Sequence, residues 1–168
     1  MRRLPVIQQA ASDDAAAAAR PRWHWLLIGA GLTTTIWVPL SVAAAPLGTA
    51  IAARAMGLAR DDVVSGAAAL SARDRMVLAA LSAAPLLISF ATASGLAGML
   101  VGRFGGHAGR REAALGGILA AAFAGIVGAV GGSGLPPLGM LLAGGALAGV
   151  GALFGFLGAG FGVRKRPC

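Results

Sequence analysis

LGMLLAGGALAGVGALFGFLGAGFGV, residues 138–163, is 26 positions without one charged, amide or hydroxyl side chain. As a single α-helix it is about 39 Å long, more than the roughly 30 Å hydrocarbon core of a bilayer. No water reaches that core, and a helix satisfies its own backbone polar groups there. The stretch also carries three glycine pairs spaced four apart: Gly145 with Gly149, Gly151 with Gly155, and Gly158 with Gly162. Small residues let helix backbones approach closely in lipid, where packing and dispersion replace the hydrophobic effect. The reading is a membrane span with a glycine-zipper surface.

The rest of the chain agrees with a membrane setting. Of its 168 residues, 57% are hydrophobic and only 12% charged, about half the charge a soluble domain places on its surface. The net charge of +8 lies between and beyond the apolar segments. That is the pattern of topology signals, and no basic helix or aromatic platform suits nucleic acid, so none is expected as a partner. Basic residues are 13 Arg against the single Lys165, in a chain rich in Ala and Gly. This codon-level bias points to a GC-rich bacterium and hence to its cytoplasmic (inner) membrane. The one cysteine, Cys168, is terminal, which excludes an internal disulfide or a cysteine metal site.

Three further spans precede the quoted one. Residues 1–22 read as a disordered or briefly helical tail. Trp23, His24 and Trp25 mark a water–lipid boundary, and the first span follows over about 25–53. Its apolar run is too long for a secretory leader, despite the small residues Ala43, Ala44 and Ala45. Pro39 predicts a kink near residues 37–39. Residues 54–75 form the one sizeable loop, with Asp61, Asp62 and Asp74 among arginines. Ser71 reads as an N-cap for the second span, about 76–102, which Pro85 is expected to bend. Ser94, Gly98 and Gly102 make a second small-residue row. The turn 103–111 is basic and glycine-rich but lacks the lysine ending of a phosphate loop. The third span covers about 113–131, a GGSGLPP turn follows, and residues 164–168 are a short basic tail.

The expected fold is therefore an all-α integral membrane protein, a four-helix bundle of two helical hairpins, 25–102 and 113–163. Of the 27 glycines, 22 lie from Gly95 to Gly162, so spans two to four are expected to form the tight bundle with span one at its side. Four spans put both termini on one side. The two tails and the second loop carry ten basic residues against four in the other loops, which places that side in the cytoplasm. Arg103, Arg110, Arg111, Arg164, Lys165 and Arg166 are placed to contact anionic lipid headgroups, at about 1 kcal/mol each near the surface.

Chemistry inside the membrane is not expected. The spans hold no Asp, Glu, Lys, Arg, His, Asn or Gln. Such groups mark proton relays and ion sites. No catalytic spacing and no metal-ligand set stands out, so no enzyme and no cofactor is expected. The leading reading is a non-catalytic structural or accessory subunit of a larger inner-membrane assembly, bound to lipid and to other subunits or to itself. Its packing residues are Ser94, Gly98, Gly102, Gly145, Gly149, Gly151, Gly155, Gly158 and Gly162, and Gly149→Leu is expected to push backbones apart. The alternative is a small transporter or channel acting as a homo-oligomer, with a path past Thr33, Thr34 and Thr35 or past Ser89, Thr92 and Ser94. A third reading assigns the role to the outer loop through Asp61 and Asp62.

Overall fold

Ala and Leu favour the helix, and in an apolar setting closed backbone hydrogen bonding carries it through the many glycines, giving four helices: α1 (Trp23–Met56), α2 (Ala72–Phe104), α3 (Arg110–Val130) and α4 (Pro137–Arg164). The structure, a computed structural model, describes residues 23–59, 63, 66, 69–105, 108–130 and 137–164. The tail 1–22, Asp61, Asp62, His107, the turn at 131–136, Lys165 and Arg166 lie outside the described residues. Each of the four helices is long and apolar enough to cross a membrane, and the described residues contain no strand.

Local signals set the helix ends. Gly57 takes φ +66° after α1, where Leu58 N donates to Ala53 O at 2.9 Å. A left-handed residue at that position suits glycine. Ser71 caps α2: its Oγ accepts from Asp74 N at 3.2 Å and donates to the Asp74 carboxylate at 2.7 Å. Glu112, the only glutamate, closes the start of α3 by accepting from Gly109 N at 2.8 Å. That is the reciprocal half of a capping box. Helices α1 and α2 run on through Pro39, Pro46 and Pro85 without interruption.

The register follows from which backbones meet. Gly48 lies on Ser82 and Gly29 on Val101, so α1 and α2 are antiparallel. Gly117 faces Gly151 while Ala113 faces Gly155, so α3 and α4 are antiparallel too. Gly95 meets Gly158 and Met99 meets Gly162, which makes α2 and α4 parallel neighbours. Helix α1 packs on α2 and α3, helix α4 packs on the same two, and α1 and α4 lie across the bundle from one another.

Span one does not sit at the side of a three-helix unit. Its contact with α2 is nearly as extensive as that of α2 with α4. Ala44, Gly48 and Ala52 form a buried row of small residues, four apart, that meets α2. This row is masked in the sequence by the Trp, Thr and Pro residues around it. By their lengths α1 and α2 extend about 50 Å and α3 only about 32 Å. The far ends of the long pair close on a separate apolar cluster of Ala52, Ala53, Val63 and Leu78.

Candidate functional site

The tight part of the molecule is the C-terminal half of α4, wedged between α2 and α3. A methyl group added at Gly98 would strike Gly155 O, and one at Gly102 would strike Ala159 O. One added at Gly158 would strike Gly95 O, and one at Gly162 would strike Met99 O. On the α3 side, a methyl at Gly151 would come within 2.6 Å of Gly117 O, and one at Gly155 within 2.7 Å of Ala113 O. These obstacles are backbone atoms, which cannot rotate aside. Contacts this close place Cα–H groups against carbonyl oxygens of the next helix, a weak attraction that recurs between helices. Ser94 is 1% exposed in the same seam.

Gly145 and Gly149 are placed differently. Both are exposed, and a methyl at either would find no described atom within 4 Å. Gly144 on α4 and Gly125 and Gly128 on α3 are equally open. The inward side of α4 at this level faces Phe90, a fully buried ring that packs edge-on to Trp37 at 5.3 Å and lies 3.1 Å from where a methyl on Gly151 would sit. Leu147, Ala148 and Val150 pack against this ring cluster from α4.

The hydroxyls of the spans turn back on their own helices. Thr33 donates to Gly29 O, Thr34 to Ala30 O, Ser82 to Leu78 O, Ser89 to Leu86 O and Thr92 to Ile88 O, all between 2.8 and 3.0 Å. Bonds of this kind satisfy a hydroxyl without a partner helix or water. Among the described residues, Trp37 Nε1 and Ser94 Oγ are buried side-chain polar atoms without a hydrogen bond. Thr34 and Thr35 also line a groove of about 470 Å³ between α1 and α3, against Leu119 and Phe123.

The other distinctive region is the end where α1 and α3 begin and α2 and α4 finish. Trp23 stacks on His24 at 3.9 Å, and Arg103 lies 5.6 Å from the Phe104 ring centre. Arg110 crosses from α3 to α4, with its guanidinium 5.3 Å from the Phe156 ring centre and flat over Gly160. Arg110, Phe156, Leu157, Gly160, Phe161 and Arg164 line a cleft of about 190 Å³. Arg111 is exposed outside it. Among the described residues no group of three His, Cys, Asp or Glu side chains is assembled for a metal ion. The Arg110–Gly160 contact is invisible in the sequence, where Gly160 breaks no pattern and belongs to no pair spaced by four.

No family model matches this chain, and no curated protein and no solved structure is significantly similar to it.

Proposed function

We propose that this multi-pass membrane protein is a non-catalytic structural or accessory subunit of a bacterial inner-membrane assembly, with both termini in the cytoplasm. The observation that carries this reading is that Gly145 and Gly149 on α4 and Gly125 and Gly128 on α3 are exposed, and that a methyl at any of them would meet no described atom within 4 Å. Lipid tails gain little from a flat glycine surface, whereas a second helix gains close backbone contact. The glycine pairs of α4 then divide by role. Gly151, Gly155, Gly158 and Gly162 hold the bundle together as a glycine zipper, and Gly145 and Gly149 receive a partner. The two sequential hairpins form the frame that presents this face.

A photo-crosslinking amino acid placed at position 149 tests the reading. Irradiation in native membranes is expected to yield a fixed adduct with a different membrane protein. Mild-detergent purification followed by native mass measurement should give the same partner in constant ratio. A chain that remains monomeric in both experiments overturns the proposal.

One observation favours the alternative, a homo-oligomeric transporter or channel. Thr34 and Thr35 face the α1–α3 groove on the outside of the single chain, where a second copy would enclose them. Trapping of position 149 only to itself, with solute flux in reconstituted vesicles that Thr34→Val with Thr35→Val abolishes, would establish that reading instead.

A further inference from the structure

The cleft at the basic end has two cations and an apolar floor. Arg110 is held against α4 from two sides, by the Phe156 ring and by the bare backbone of Gly160. A side chain at position 160 would meet the guanidinium at 3.1–3.3 Å, so glycine there lets Arg110 lie flat. Arg164, one turn beyond Gly160, lines the same cleft. Two guanidinia across a small cleft form a receptor for a phosphodiester, which they bind with charge-assisted and often bidentate hydrogen bonds.

The apolar floor continues past the cleft. Leu157 and Phe161 line it and also line a groove of about 590 Å³ between α2 and α4. The α2 wall of that groove runs from Ile88 to Met99. At 1.5 Å per residue this is about 16 Å, close to half the roughly 30 Å hydrocarbon core. The groove therefore has the depth of one leaflet, begins about a turn inside Arg164 and level with the Arg110 guanidinium, and is almost wholly apolar. An acyl chain fits that description, and a protein helix in lipid would instead seek the small residues elsewhere on α3 and α4.

We infer that Arg110 and Arg164 form a specific site for an anionic glycerophospholipid, with the phosphodiester in the cleft and one acyl chain over Phe161 and Leu157 into the α2–α4 groove. The site selects against a zwitterionic lipid because the headgroup ammonium would meet two cations. It does not depend on whether the chain is an accessory subunit or a transporter.

The test uses the full chain in detergent doped with phosphatidylglycerol or phosphatidylethanolamine of matched acyl chains, with bound lipid counted by native mass spectrometry. Wild type is expected to retain one phosphatidylglycerol in preference to phosphatidylethanolamine. Arg110→Gln and Arg164→Gln should each weaken retention about fivefold, the equivalent of one surface arginine. Arg111→Gln, outside the cleft, should weaken retention of the counted lipid less than either. Ala91→Trp, which fills the groove without touching the arginines, should weaken retention as well. Equal retention of the two lipids, or loss in Arg111→Gln as large as in Arg110→Gln, overturns the site. So does displacement of the lipid by an equal concentration of deacylated glycerophosphoglycerol, which would show that the groove contributes nothing. A polypeptide crosslinked at position 110 in place of lipid would also overturn it.

Discussion

The two halves of α4 have nearly the same composition and opposite surroundings. From Gly151 onward every fourth-residue glycine row meets the backbone of α2 or α3. Before it, Gly144, Gly145 and Gly149 meet no described atom of the chain. The α3 helix repeats the contrast, with Gly116 and Gly117 packed and Gly125 and Gly128 open. Spacing alone thus marks where helices are able to approach, and neighbours decide whether they do. What decides here is the face: at 3.6 residues per turn Gly149 is rotated about 160° and Gly145 about 120° from Gly151. At their level Leu147, Ala148 and Val150 turn to the Phe90–Trp37 ring pair instead.

The largest effect is expected inside the packed face, at the ring that α4 turns towards. Phe90→Ala leaves a cavity there and should destabilise the bundle by about 3–5 kcal/mol, the usual range for a buried phenylalanine. Denaturation in mixed micelles reads this directly. A loss below about 1 kcal/mol would mean that the helices collapse into the gap and that Phe90 is not a centre of the packed face.

A smaller effect is expected from filling the closed half. Gly158→Leu sets a side chain against Gly95 backbone and should cost about 1–3 kcal/mol or more, as overpacking does. Gly48→Leu should behave alike against Ser82, because α1 uses the same kind of contact. Equal stability of Gly158→Leu and wild type in the same denaturation series would mean that the α2–α4 seam is not close-packed.

The smallest effect on stability belongs to the open half. Gly149→Leu and Gly31→Leu add side chains where nothing lies within 4 Å. Both should melt within about 0.5 kcal/mol of wild type. They should separate in co-purification, where only Gly149→Leu loses its partner. The expectation that a leucine at 149 pushes backbones apart therefore moves from the fold of this chain to its assembly. A large stability loss in Gly149→Leu would instead return that glycine to the interior.

Some of this was legible in the linear pattern and some was not. The Ser71 cap could be read, because the hydroxyl and Asp74 stand at helix-start spacing and the bond is local. The part of α1 in the bundle was missed, because Ala44, Gly48 and Ala52 are diluted by Thr and Pro residues that face elsewhere. The reading of Thr33 and Ser89 as a polar path weakens for a local reason too, since each hydroxyl finds a carbonyl of its own helix. The Arg110–Gly160 contact joins two helices 50 positions apart in the chain, and no periodicity within either helix reports it.

The amino-acid sequence by itself determined that the chain has four apolar helices able to cross a membrane, since length and hydropathy are properties of single segments and lipid demands closed hydrogen bonding within each. Tertiary structure alone decided which glycines are spent inside the bundle and which face outward. It also decided that two arginines from different helices share one cleft. Both depend on the rotation and register of each helix against its neighbours, which no property of a single segment fixes.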